Sequence, residues 1–325
     1  MPNRNKKMSC CPVCKSSKIS FRFAGQDFLY KTTKKKFNLF ICQICGAVFL
    51  NPQPGERELA NFYPKNYYSY ASYNKNSFLT RLREALIDIS FGNSQKYGVF
   101  LKTVALILKP KFKNILPLYY KKNGKFLDVG CGNGENLAIL KKHGWQTYGI
   151  EIDKQAVKQA QKRGLNVRYT SLEKAEFGKL KFDCIRMWHV LEHLPNPHLA
   201  LRKLRHLLKN GGIIYLAIPN TNSLMAKIFG RYWNGYEIPR HLINYSIQNL
   251  KLLLKEHKFE VVYLKYASTA GLIGSLSDYL NIKFNKKFIF SNNLFLVVLI
   301  YPLDFLTDLL KTGDTIYLKI KKAQE

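Results

Sequence analysis

Two Cys-x-x-Cys pairs stand near the start of the chain: Cys11 with Cys14, and Cys42 with Cys45 after 27 intervening residues. Four thiolates at this spacing can close a tetrahedral zinc site. An all-sulfur tetrahedron has no open position, so the ion would be structural and would hold a small fold together. Met1 to Met8 is polar and basic rather than apolar, which predicts a cytoplasmic protein whose paired cysteines bind metal instead of forming disulfides. Cys10 lies outside the pairs as a spare thiol, and Cys131 and Cys184 fall at strand ends as core thiols.

A second constellation lies far downstream. "DVGCGNG" places Gly130, Gly132 and Gly134 between a strand and a helix, where bare backbone can approach a ligand closely. Asp128 precedes the glycines, and Glu151 in "GIEID" follows it by 23 positions at the end of the next strand. A carboxylate there can accept both hydroxyls of a ribose. The spacing is GxGxG, not the GxGxxG of dinucleotide enzymes. Asp153, just before "KQAVKQA", suits a helix N-cap.

Three histidines complete the candidate chemistry. His189 and His193 flank "VLE" after the fourth strand, and His241 lies in "EIPRHLINYS" after the fifth. An imidazole at that end of a parallel sheet could take a proton from an acceptor hydroxyl. Trp233 and Tyr236 are candidates for an acceptor wall.

The elements that must position these groups follow from the pattern. From Lys125, strand-like runs alternate with helical ones: "KFLDVG", "QTYGIEI", "NVRYTS", "KFDCIRMW", "GIIYLAIP", "FEVVYLKY" and "TIYLKIKK". Seven strands with helices after the first, second, fourth and fifth predict an α/β sheet covered by helices. The expected organisation is a zinc-ribbon module over 1–55, a helical segment over 56–123 and an α/β domain over 124–325. Insertions at 221–245 and 268–313 interrupt the α/β domain, and such insertions commonly cover an active site or bind partners.

These motifs, in this order and at these intervals, resemble class I S-adenosylmethionine-dependent methyltransferases, especially the bacterial group that includes the ubiquinone-pathway O-methyltransferases. The motifs are "FLDVGCGNG", "YGIEID", "FDCIRMWHVLEHLPNP" and "LKNGGIIYLAIPN", and the resemblance covers Lys125 to about Lys265. It implies a Rossmann-like seven-stranded sheet. It implies that Asp128, Gly130, Gly132, Gly134 and Glu151 form the S-adenosylmethionine site, with Trp188 contacting the cofactor. Relatives often carry Gly-Asp after the third strand to take the adenine amino group, whereas this chain has Ser171 there. A zinc ribbon and an "NPxP" segment before such a core are similar to bacterial methyltransferases of surface-polysaccharide or other small-molecule pathways. The function implied is O-methylation of a small-molecule, sugar or lipid-linked acceptor, with RNA methylation and a non-catalytic adaptor as alternatives.

Charge bears on the partner. Lysine and arginine total 52 against 21 acidic residues, a formal net charge of +31, which points either to an anionic partner or to compositional drift toward Lys, Asn, Ile, Phe and Tyr, although drift alone does not explain the shortage of acids. An acidic membrane surface is one candidate and nucleic acid is the other. Two apolar stretches, Phe78 to Phe91 and Leu294 to Leu310, are candidates either for packing on the core or for lying on the inner face of a membrane. The uninterrupted apolar run Leu294 to Leu303 is about half the length needed to span a bilayer, and Asp304 and Asp308 share one helical face.

Overall fold

A computed structural model of the chain describes residues 7–64, 67, 78–90, 95–112, 123–268, 271–284 and 294–323. Each of the seven expected strand segments forms a strand. They are β4 (Lys125–Val129), β5 (Gln146–Glu151), β6 (Asn166–Tyr169), β7 (Phe182–Trp188), β8 (Leu208–Pro219), β10 (Phe259–Ala267) and β11 (Thr315–Lys322). Their order in the sheet is β10-β11-β8-β7-β4-β5-β6, a mixed Rossmann-like arrangement in which β4, β5 and β6 pair in parallel and β11 is antiparallel to both β8 and β10. Core strands such as β7 alternate little and bury nearly every side chain, as a sheet covered on both faces requires.

A second, four-stranded sheet has the order β1-β2-β3-β9, with β1 (Ile19–Gly25), β2 (Phe37–Cys42) and β3 (Val48–Leu50) from the cysteine-rich segment. Its fourth strand is distant in sequence: β9 (Ile243–Asn244) pairs antiparallel with β3 through Val48↔Asn244 and Phe49↔Ile243. Contacts divide the chain into two compact units, Met1–Lys65 with Met187–Glu325, and Asn66–Arg186.

One reason the cysteine-rich segment groups with the C-terminal half is Arg240. Its guanidinium is fully buried and donates to both oxygens of Asp27 at 2.8 and 3.1 Å, to Glu237 at 2.8 Å and to the Phe62 carbonyl at 2.9 Å. Burial raises the pKa of Asp27, but the bond and charge of Arg240 outweigh it and hold the carboxyl below its usual range. Arg240→Ala would strip the buried counter-charge from Asp27 and Glu237, leaving Asp27 only its Tyr30 and Thr32 donors among the described residues, and is expected to destabilise the protein by about 3–5 kcal/mol. Urea unfolding checks this. The double variant Asp27→Leu/Arg240→Met should recover part of the loss, because it removes one of the two acids while keeping volume.

In the Asn66–Arg186 unit, α2 (Phe78–Ser90) and α3 (Val99–Phe112) form a hairpin. Leu82, Ala85, Leu86 and Ile89 pack there against Leu101 and Ala105. The α2 face expected to cap a core or meet a membrane is thus spent within the hairpin; the side chains of Phe78 and Leu79, and residue Phe91, lie outside the described set.

Candidate functional site

The Asn66–Arg186 unit holds the glycine loop. β4 delivers Asp128 to the start of the loop, and α4 (Glu135–Lys142) leaves from Gly134. Gly130, Gly132 and Gly134 all have positive φ, at 70°, 55° and 78°. L-residues rarely adopt this backbone, so conformation favours glycine at all three positions. At Gly134 space does too, since a Cβ would lie 2.5 Å from Leu165 Cδ1 and 2.9 Å from Ala160 Cβ.

Glu151 closes the loop from the end of β5. Its Oε2 accepts the Gly132 N–H at 2.8 Å, and its Oε1 accepts from Ile152 at 2.7 Å and Asp153 at 3.0 Å. Burial pushes its pKa up, while the backbone donors of Asp153, Gly132 and Ile152 oppose that rise. A carboxylate offers about four lone-pair positions, so three filled positions leave one, on Oε2, for a further donor. Asp153 caps α5 (Lys154–Lys162) as expected, accepting from Ala156 N at 2.6 Å.

Asp128 is committed inside the protein. Both its oxygens lie 3.1 Å from Arg186 Nη1, and Asn136 Nδ2 donates to Oδ2 at 3.4 Å. Arg186 on β7 was not among the sequence candidates, although the quoted run "FDCIRMW" contains it. Ser171 is half-buried just past β6, where Thr170 N donates to the Glu151 carbonyl at 3.0 Å.

The other unit contains the remaining candidates. Trp188 ends β7, half-buried, with its ring 5.0 Å from that of Tyr317. Beyond it, His189, His193 and His241 surround a residue that sequence reasoning passed over, the fully buried Glu192. His189 Nδ1 lies 3.2 Å from Glu192 Oε1, and the rings of His193 and His241 meet edge to face at 4.7 Å. His241 Nε2 is 3.6 Å from Glu237 Oε2 and 4.0 Å from Glu192 Oε1.

Hydrogen bonds fix the tautomers. His241 Nδ1 is 2.8 Å from the Gly235 carbonyl, which can only accept, so the proton sits on Nδ1 and the lone pair on Nε2. That Nε2 is buried and makes no hydrogen bond among the described residues. His193 Nδ1 likewise donates to the Arg240 carbonyl at 3.0 Å, and Tyr63 Oη lies at the same distance. Burial, with smaller charge effects, lowers both His241 and His193 to about 4, so both are neutral at physiological pH. Burial would raise Glu192, but the His189 hydrogen bond and the surrounding histidines hold it below its usual value. Trp233 and Tyr236 are both buried, their rings 5.0 Å apart, with Trp233 Nε1 donating to Asp314 at 3.3 Å.

The four cysteines converge in this same unit. Cys11 Sγ is 3.6 Å from Cys45 Sγ, Cys14 Sγ is 3.5 Å from Cys42 Sγ, and all four sulfurs lie within 4.8 Å of one another. A zinc tetrahedron with bonds of about 2.3 Å has sulfur–sulfur edges of about 3.8 Å, so the cluster needs almost no adjustment to hold an ion. The Val13 N–H donates to Cys11 Sγ at 3.3 Å and would steady a thiolate. Cys10 is exposed, and Cys131 and Cys184 are buried.

A methyltransferase-domain family model matches residues 101–264, and the chain belongs to that family. It is 32% identical over 143 residues to a ubiquinone biosynthesis O-methyltransferase of Glaesserella parasuis, covering 39% of this chain and 61% of that one. The corresponding protein of Serratia proteamaculans is 30% identical over 116 residues, covering 33% and 48%. The chain therefore spans about half to three-fifths of the length of these relatives. Among solved structures, an O-methyltransferase from a Brevibacillus brevis trans-AT PKS multienzyme, in complex with S-adenosyl-L-homocysteine, aligns with a TM-score of 0.45 and 20% identity over 73% of this chain and 79% of that one.

Proposed function

We propose that the protein is an S-adenosylmethionine-dependent O-methyltransferase acting on a small-molecule acceptor, more finely a sugar or lipid-linked hydroxyl presented at an anionic surface. The observation that carries this reading is the left-handed glycine loop tied to Glu151 through the Gly132 N–H, in a chain of the methyltransferase-domain family. Glu151 Oε2 would accept a ribose hydroxyl, Gly130 and Gly132 would let backbone approach the methionine part, and Ser171 would flank the cofactor. When bound, the sulfonium supplies an electrophilic methyl group.

The chain's own residues would then manage the acceptor proton. His241 Nε2 offers a buried lone pair, and Glu237 and Glu192 stand within 4.0 Å to stabilise the imidazolium formed on proton transfer. His193 is the alternative base and His189 a positioning partner of Glu192. The cysteine cluster would hold one structural zinc.

Labelled S-adenosylmethionine added to a cell extract tests the acceptor class. Label should enter the lipid or soluble pool; label confined to RNA would overturn the reading. The cofactor assignment has its own test. Glu151→Ala removes a charge-assisted acceptor and is expected to weaken S-adenosylmethionine binding by about 1.5–3 kcal/mol in calorimetry. Unchanged affinity would remove Glu151 from the site.

A further inference from the structure

The helix α10 (Leu294–Leu309) is built the wrong way round for a helix of a water-soluble surface. Its polar residues turn inward. Thr307 is 3% exposed and meets Ser268 Oγ at 2.9 Å, Asp308 Oδ1 accepts from Ser268 N at 2.6 Å, and both Asp304 and Asp308 are partly buried. The chain then leaves the helix through Thr312, whose carbonyl accepts from Leu224 N at 2.9 Å, and through Gly313, where a Cβ would sit 2.7 Å from Asp308 Oδ1.

Most of its described apolar side chains point the other way. Leu299, Leu303, Leu306 and Leu310 recur at helical spacing on one exposed face, flanked by Phe305 and Leu309, which are 58% and 67% exposed. Scattered exposed leucines are ordinary, but a continuous stripe on a helix anchored by its polar side marks a surface that something apolar covers. No helix among the described residues is long and apolar enough to cross a membrane, so the stripe suits shallow contact rather than a span.

We propose that α10 lies in the interfacial layer of an anionic membrane and inserts this stripe among the acyl chains. Charge selects the occupant. A second copy would oppose one formal charge of +31 to another, whereas an acidic bilayer attracts that charge. Lys311, directly after the exposed leucines at the end of α10, the helix that follows α9 (Gly271–Phe284), is a position from which an ammonium group can meet lipid phosphates while its stem stays apolar. The inference deepens the proposed reading, since it names the element that would bring the protein to a lipid-linked acceptor, but it needs no methyl transfer to be tested.

The experiment is flotation of the full chain with phosphatidylcholine vesicles, with and without phosphatidylglycerol. Wild-type protein should float with the anionic vesicles only, and raised salt should reduce the floated fraction. Leu306→Glu/Leu309→Glu should cut that binding at least tenfold while S-adenosylmethionine affinity stays unchanged, which shows the variant is folded. Leu199→Glu/Leu252→Glu, with the same charge change on α6 (Pro197–Leu207) and α8 (Ile247–Glu256), should float like wild type. The proposal is overturned if wild type ignores anionic vesicles, or if the α10 variant floats equally well. It is also overturned if light scattering shows a wild-type dimer that the α10 variant converts to monomer.

Discussion

Removing zinc from the chain, by chelation or by Cys42→Ser, is expected to unfold the cysteine-rich segment and lower the stability of everything packed on it. A structural four-thiolate site binds with apparent free energy of about 10–16 kcal/mol near neutral pH, and that binding energy is folding energy. The segment has few long elements of its own, although Leu39, Val48, Phe49 and Leu50 are fully buried. β3 is three residues long, and the cysteine-rich strands β1 to β3 total sixteen residues by the lengths 7, 6 and 3. What distinguishes this chain is where the damage should travel. β3 pairs with β9, and Leu50 N donates to the Leu242 carbonyl at 3.0 Å, so the cysteine-rich segment is tied to the residues on either side of Ile243. Leu242 in turn donates its N–H to the Glu192 carbonyl at 2.8 Å, and His241 precedes it. Metal analysis should find one zinc per wild-type chain and none in Cys42→Ser. Circular dichroism and proteolysis should show release of the cysteine-rich segment. Methyl transfer should fall with it, while the glycine loop and Glu151, in the other unit, should retain cofactor affinity. A metal-free wild-type protein of undiminished stability would refute the assignment.

This coupling was not legible in the sequence, for a physical reason. The strands of the large sheet announce themselves by local apolar runs, and the cysteine pairs and glycine loop by short spacings, so each was readable within a window of a dozen residues. The tie between Asp27 and Arg240 spans 213 positions, and that between β3 and the two-residue β9 rests on no periodicity at all. Arg186 and Glu192 lay inside quoted motifs, yet their partners Asp128 and His189 become visible only when the sheet and the turn after it are assembled. The burial of Trp233 and Tyr236 has the same origin: aromatic residues in an insertion look like a ligand wall until Phe23, from the cysteine-rich segment, is found 5.1 Å from Tyr236. In α10, polar residues are confined to Asp304, Thr307 and Asp308, and the sequence does not say whether that face turns inward; in the fold, Ser268 binds Thr307 and Asp308 from inside.

His241→Ala is expected to slow methyl transfer by about two to four orders of magnitude with little change in cofactor affinity. As the proposed general base, His241 has its tautomer set by the Gly235 carbonyl, its Nε2 makes no hydrogen bond among the described residues, and two carboxylates lie within 4.0 Å to stabilise its protonated form. Depression of the imidazole to about 4 in the resting protein gives the reaction an acid limit well below that of an ordinary histidine. The rate should stay flat from neutrality down to about pH 5 and fall only below it. Stability moves over a different window. In the unfolded chain the imidazoles of His241 and His193 titrate near 6.5, whereas in the fold both stay neutral until about 4. As pH falls below 6.5 the unfolded state therefore takes up protons first, so stability held above that pH is lost progressively down to about 4, by at most about 3 kcal/mol for each histidine. His241→Ala should abolish its share of that loss, and a flatter urea-midpoint profile between pH 7 and 5 would show it. His193 is the rival, with a matching tautomer and its own hydrogen bond to Arg240. If His193→Ala loses turnover and His241→Ala keeps it, the base is His193. If both remain active, the acceptor gives up its proton without an imidazole, and the cluster around Glu192 serves only to hold the turn that carries it.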